Sequence, residues 1–318
     1  MMINKRVMII GGTGALGKTL VKRYHKSNDI LIFSRDEHKH VNMKRDYPTV
    51  DYQIGDVKEK DCLLKALNEY KPDVVVNTAA LKHVPVCEDN PYESVKVNIL
   101  GHENLLECLG VSNHQIETLM FISTDKACKP INVYGMCKAI SERLYIDFAN
   151  KQDKVKVVLC RYGNVLESTG SVIPFFKSLL SNKDVSSLPI TDERMTRFLI
   201  SLDESVELID WAFNHPDSHG TIVVPKLKSL RIVDLAKSLC NSYGFEGIPI
   251  NYVGIRPGEK IHEEMVSFEE SLRSKDFQKY FMITDNILTN DAWSYSSDTS
   301  VLSPEDVTLF LQGKGVIS

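Results

Sequence analysis

The sequence predicts an α/β chain: a doubly wound parallel sheet followed by a smaller mixed α/β lobe. Three observations carry this. Short apolar runs alternate with helical patterns through the first half of the chain. A glycine-rich turn, Gly11-Gly12-Thr13-Gly14-Ala15-Leu16-Gly17, joins the first apolar run to a helical stripe of Leu16, Leu20, Val21 and Tyr24. After about residue 165 the alternation loosens. Regular alternation of strand and helix gives a parallel sheet covered on both faces.

In chain order, strands are expected at 7–10, 30–33, 52–54, 74–77, 119–122 and 155–159. Helices are expected at 15–26, 58–70, 92–109 and 133–150, between the strands. Beyond them, helices at 203–214 and 231–243 and short strands at 221–224 and 250–253 make the smaller lobe. The division is a dinucleotide-binding domain over 1–165, carrying the catalytic residues, and a substrate-binding domain over 166–318. No linker marks this boundary, so it is soft and open to discontinuity.

The glycine turn gives the first strand a chemical purpose. Gly11, Gly14 and Gly17, with Thr13, Ala15 and Leu16, permit a tight turn and a close approach of pyrophosphate to backbone. The helix that follows offers free N–H groups and a favourable dipole to the phosphates. This is a Rossmann-type arrangement. The second strand ends in Ser34-Arg35, a hydroxyl and a guanidinium suited to the 2′-phosphate of NADP. Asp36 and Glu37 follow at once, which keeps NAD as the less favoured choice. Asp56 and Val57 follow the third strand as candidate adenine neighbours, and Ala79 and Ala80 follow the fourth, small where a cofactor would press on the backbone.

Bulk properties exclude several classes. A net charge of −4 over 318 residues gives no electrostatic case for nucleic acid or an anionic membrane. The longest apolar runs are too short to span a bilayer, and the N-terminus runs straight into the first strand. A cytoplasmic location is expected. The seven cysteines are scattered, with no Cys-xx-Cys pair, so reduced thiols and no metal site are expected.

The fifth strand ends in Ser123-Thr124-Asp125-Lys126, a cluster of groups able to move protons where open α/β sheets place their active sites. Tyr134 and Lys138 lie four apart and share a helix face. An ammonium beside the phenol would lower the tyrosine pKa and make it a proton acceptor. The second lobe adds Arg161-Tyr162-Gly163-Asn164, Thr196-Arg197 and Arg256-Pro-Gly-Glu-Lys260, whose arginines could clamp a diphosphate.

These segments resemble the extended short-chain dehydrogenase/reductases, and within them the inverting UDP-N-acetylglucosamine 4,6-dehydratases. The resembling stretches are Gly11–Gly17, Phe33-Ser-Arg-Asp-Glu37, Ala80-Leu-Lys-His-Val-Pro85, Ser123-Thr-Asp-Lys126, Tyr134-Gly-xx-Lys138, Arg161–Val165, Gly170–Pro174, Met195-Thr-Arg-Phe198 and Arg256-x-Gly-Glu-Lys260. Thr-Asp-Lys is the most specific, because retaining relatives carry Thr-Asp-Glu there. The resemblance implies tightly bound, recycled NADP and UDP-N-acetylglucosamine as substrate. It implies a homo-oligomer, dimer or hexamer, and a lyase supplying a deoxyamino sugar to a glycan. It adds Lys82 to both the cofactor and the substrate contacts, and His83, Lys126, Asn164, Val172, Thr196, Arg197, Arg256 and Glu259 to the substrate contacts.

In the implied reaction Tyr134, helped by Lys138 and by Thr124 or Ser123, takes the C4 hydroxyl proton while the C4 hydride goes to the nicotinamide. Lys126 takes the C5 proton and Asp125 protonates the departing C6 hydroxyl. Hydride returns to C6, and C5 is reprotonated from the opposite face. One tension stands: an adjacent ammonium should lower the Asp125 pKa, yet a general acid must hold its proton. A UDP-sugar 4-epimerase and a non-catalytic NADP-binding protein are the competing readings.

Overall fold

The computed structural model describes residues 2–168, 170–182 and 184–317. Six parallel strands follow the expected apolar runs: β1 (Arg6–Ile10), β2 (Asp29–Ser34), β3 (Asp51–Ile54), β4 (Val74–Asn77), β5 (Thr118–Ile122) and β6 (Lys156–Cys160). Successive side chains point to opposite faces of a strand. Met8, Ile10, Leu31, Phe33 and Val75 accordingly join one core. Val7, Ile9, Ile30, Ile32, Val74 and Val76 join another on the opposite face. Burial on both faces explains why these strands read as continuous apolar runs, except β3, the half-exposed edge strand Asp-Tyr-Gln-Ile.

The strand order is β3-β2-β1-β4-β5-β6, continued by Thr221–Pro225, Tyr280–Ile283 and Ser274–Asp276. Thr221–Pro225 is parallel to β6, Tyr280–Ile283 is antiparallel to Thr221–Pro225, and Ser274–Asp276 is antiparallel to Tyr280–Ile283. Order reverses between β1 and β4, and ligands of such sheets bind outside the carboxyl ends at that point. Thr221–Pro225 was expected in the smaller lobe; it pairs instead with β6 through Thr221, Ile222 and Val223. The helix before it, Leu202–Asn214, packs on Ala15–Tyr24, where the Tyr24 hydroxyl donates to Asp210 at 2.8 Å.

The smaller lobe keeps its own core of Leu166, Ile173, Phe176, Leu188, Leu230, Leu235 and Val307. Around it lie a three-stranded sheet (Asn164–Val165, Thr196–Ile200, Ser229–Arg231) and a parallel pair (Leu188–Ile190, Ile250–Tyr252). No helix among the described residues is long and apolar enough to cross a membrane.

The helix expected over 92–109 has a π-helical turn, Lys96–Leu100, between Pro91–Val95 and Gly101–Val111. Such turns recur at functional sites. Here Asn98 uses it to bond both the N–H and the C=O of Leu81, at 2.8 Å each, which braces the loop after β4.

Candidate active site

The glycine turn lies at the strand reversal. Gly11 has φ +77°, and a Cβ there would stand 2.7 Å from the Ala79 nitrogen. Only glycine fits both the left-handed backbone and that contact. At Gly17 a Cβ would lie 2.2 Å from the Gly12 carbonyl oxygen, so helix and turn touch backbone to backbone. The helix Ala15–Tyr24 starts at Gly14 without a side-chain cap, leaving its first N–H groups to a ligand. This cradle fits the pyrophosphate of a dinucleotide, with Thr13 and Leu16 flanking it on the same turn.

At the end of β2 the Ser34 hydroxyl lies 3.1 Å from Thr13 Oγ1 and 2.6 Å from His40 Nε2. Arg35 is exposed and stands 3.7 Å from Asp56 at the end of β3. Asp36 caps the next helix, accepting from the Lys39 N–H at 3.0 Å, and pairs with the Lys39 ammonium at 2.9 Å. Val57 is buried against Gly101, whose Cβ would meet it at 2.6 Å. Ala79 is held by Asn77 Oδ1 at 3.1 Å and by His102 at 3.1 Å, and Ala80 follows it in the same loop. Lys82 and His83 come next, and burial lowers the pKa of both. A Cβ on Gly170 would meet His83 at 2.3 Å, so the loop leading to Val172 crosses directly over it.

The proton-moving cluster gathers at the carboxyl end of β5. Asp125 opens a short 3-10 turn after β5 and is fully buried. Its Oδ1 accepts from Thr124 Oγ1 at 2.9 Å and from Lys126 Nζ at 3.1 Å. Its Oδ2 is buried with no hydrogen-bond partner. Thr124 also acts on the Tyr134 hydroxyl, pulling its pKa down against burial. Lys126 donates to Asn164 Oδ1 at 3.0 Å and stands 3.5 Å from Glu263. Tyr134 is brought here by Gly135: a Cβ on Gly135 would lie 2.2 Å from the Lys126 carbonyl oxygen, so the helix can approach only with glycine there. Asn132 caps that helix through Gly135 N–H at 2.7 Å.

Electrostatics answer the tension in the sequence. Burial raises the Asp125 pKa above the carboxylate range, although Lys126 and Thr124 oppose it and Glu263 adds to it. Lys126 is itself raised, because Asp125 and Glu263 outweigh burial and Arg197. Burial pushes the Tyr134 phenol up to about 12, against Lys126 and Thr124, so the lowered tyrosine expected from the sequence is overturned by desolvation.

Several expected roles change. Lys138 shares the Tyr134 helix, but its ammonium donates to the Ile122 carbonyl at 2.5 Å and lies 4.1 Å over the Phe121 ring. The cation acting on the Tyr134 phenol is Lys126, and burial lowers Lys138 to about 7. Arg161 was expected to clamp a diphosphate. It is 1% exposed and bonded to Glu142 at 2.6 Å, Glu270 at 2.8 Å and the Met265 carbonyl at 2.8 Å. Glu142 also accepts from Ser123 at 2.6 Å, so Arg161 braces the end of β5. Arg197 is buried and spends its guanidinium on the carbonyls of Thr196, Ile261 and Lys260. Thr196 Oγ1 lies 2.9 Å from His262 and 2.6 Å from Ser297. Both residues thus hold the 260–263 segment from behind.

Arg256 and Glu259 pair across their own turn, with Arg256 Nε donating to Glu259 at 3.1 Å. The turn is exposed at Arg256 and docks through Gly258, whose carbonyl accepts from Asn132 Nδ2 at 2.8 Å. Glu263 was missed in the sequence. Its one signal is position, three residues beyond Lys260.

Strand order, glycine turn and this cluster define an extended short-chain dehydrogenase/reductase. The chain belongs to the polysaccharide biosynthesis protein family, whose model matches residues 7–285. It is 38% identical to the UDP-N-acetylglucosamine 4,6-dehydratase (inverting) of Campylobacter jejuni subsp. jejuni serotype O:2, covering 95% of each chain. It is 39% identical to a UDP-glucose 4-epimerase of Rickettsia felis, over 89% of this chain and 84% of that protein. Among solved structures it matches Pen from Bacillus thuringiensis with a TM-score of 0.91, at 28% identity and 99% coverage of both chains.

Proposed function

We propose that this protein is an inverting UDP-N-acetylglucosamine 4,6-dehydratase. Its product would be a UDP-2-acetamido-2,6-dideoxy-4-keto-hexose inverted at C5. The observation that carries this reading is Asp125: a buried carboxyl, raised in pKa, directly beside a lysine. A 4-epimerase has no elimination step and no use for such an acid. The named dehydratase and epimerase relatives match the chain about equally in identity, so the residues decide between them.

The residues act in order. Tyr134, as its phenolate, accepts the C4 hydroxyl proton, with Lys126 and Thr124 favouring that form against burial. A bound nicotinamide supplies the hydride acceptor for C4 and the donor for C6. Lys126, after releasing its own proton to become the free amine, takes the C5 proton made acidic by the C4 ketone. Asp125 gives its proton to the C6 oxygen, the C6–O bond breaks, and water leaves. A protonated Asp125 is one anion fewer beside Lys126, which eases loss of the lysine proton. Each proton-transfer residue is worth about 10²–10⁴ in rate.

NADP is the favoured cofactor, supported by Ser34 and Arg35 at the end of β2. The competing carboxylate, Asp36, is engaged as a helix cap. The uridine diphosphate is assigned to the Arg256–Glu259 turn and the Lys82–His83 loop. The enzyme would work as a cytoplasmic homo-oligomer. Mass spectrometry of UDP-N-acetylglucosamine after incubation tests the reading. Loss of one water supports it. An isomer of unchanged mass supports the 4-epimerase.

A further inference from the structure

Two buried carboxyls flank the Lys126 ammonium, and their surroundings differ. Asp125 Oδ1 lies 3.1 Å from Lys126 Nζ, and Glu263 Oε1 lies 3.5 Å from it. Around Asp125 the charged groups are Lys126 and Glu263, with the Tyr134 phenol near enough to feel the Asp125 charge. Around Glu263 they are Lys126, Arg197 Nε at 3.8 Å and Lys260 Nζ at 3.9 Å. Three cations from three segments therefore face one carboxylate. Each carboxyl keeps one buried oxygen without a hydrogen-bond partner.

Glu263 is also built to stay in place. It is 3% exposed. Its N–H bonds Ser297 Oγ at 2.9 Å, and its C=O accepts from the Ser297 N–H at 2.7 Å. Ser297 is in turn fixed by Thr196 at 2.6 Å. Arg197 holds the backbone just before it through Lys260 and Ile261.

We infer that Glu263 is a positioning residue for the proton steps: its carboxylate takes up the charge of Lys126, which leaves Asp125 as the carboxyl that carries a proton. This rests on the dehydratase reading above. Two carboxyls in unlike surroundings divide into a proton holder and a permanent anion. Burial works against ionising Glu263, yet Lys126, Arg197 and Lys260 hold its pKa below the usual range. Asp125 moves the other way.

Glu263→Gln keeps the shape and removes the charge. Lys126 then loses a counter-ion and Asp125 loses a like charge, so both release protons at lower pH. The bell-shaped pH profile of dehydration is expected to slide as a whole to lower pH, by about 1–3 units. Glu263→Asp draws the carboxylate back by one methylene and moves the profile the same way by less. An unmoved profile in either folded variant overturns the assignment, and the aspartate variant carries the test if the glutamine one does not fold.

A second readout needs no turnover. The infrared carbonyl band of a protonated carboxylic acid, lost in Asp125→Asn, titrates at lower pH in Glu263→Gln. Absence of that band in the wild type overturns the charge division. The band's presence in a protein that never dehydrates UDP-N-acetylglucosamine keeps the charge division and contradicts the function.

Discussion

Asn132 ties the catalytic helix to the second lobe through Gly258. Its Nδ2 donates to the Gly258 carbonyl at 2.8 Å, while its Oδ1 accepts from the Gly135 N–H at 2.7 Å. One side chain thus caps the helix that carries Tyr134 and anchors the turn that carries Arg256. Gly258 has φ +80°, and a Cβ there would stand 3.0 Å from Asn132 Cβ, so the turn can lie this close only with glycine.

Asn132→Ala removes both bonds. Loss of the cap is expected to cost about 0.5–2 kcal/mol of stability. Release of the turn should raise the KM for UDP-sugar more than it lowers kcat, which steady-state kinetics would measure. Equal falls in kcat and kcat/KM would place the role of Asn132 in the chemical step instead.

Asp125→Asn and Lys126→Ala should separate the two halves of the elimination. Lys126→Ala is expected to bind NADP and lose C5 proton exchange. Asp125→Asn should retain C5 exchange while formation of the 6-methyl product falls by about 10²–10⁴. Normal turnover by the Lys126 variant would sink the role assigned to it.

Arg35→Ala should weaken NADP binding and leave NAD binding close to unchanged, because the guanidinium is the charged group at the end of β2 available to a 2′-phosphate. Calorimetric titration of both cofactors checks this. Equal weakening would show that Arg35 acts through its pair with Asp56, 3.7 Å away.

Arg161→Met leaves Glu142 and Glu270 buried without their cation, a loss expected to cost about 3–5 kcal/mol. The pH dependence has a definite sign. Burial resists ionising Glu270, but Arg161 holds its pKa down to about 2, below its ordinary 4.5. The depressed carboxylate stabilises the fold fully above pH 4.5, and that contribution is lost as pH falls from 4.5 toward 2. Thermal melts between those limits should show a steep loss in the wild type and a shallower one in Arg161→Met.

Much of this was legible in the sequence because its physics is local. Apolar runs buried on both faces marked β1, β2, β4, β5 and β6, and the glycine turn marked the strand reversal at Gly11. Thr124, Asp125, Lys126 and Tyr134 stood within one short block. What failed was partnership across the chain. The alternation that marks Thr221–Pro225 as a strand says nothing of which sheet pairs with it. Arg161 looked like a ligand clamp because its partners lie 19 residues before it and 109 after it. Tyr134 and Lys138 do share a helix face, but the ammonium reaches a carbonyl of β5. Glu263 sits in an ordinary-looking Ile-His-Glu-Glu stretch and acquires meaning only when Lys126, Arg197 and Lys260 close around it.

The most direct test is proton NMR of UDP-N-acetylglucosamine with the purified, NADP-loaded protein in D₂O. The account predicts a new 6-methyl signal, deuterium at C5, and ring couplings of the C5-inverted sugar. Appearance of UDP-N-acetylgalactosamine, with no methyl signal, would contradict it.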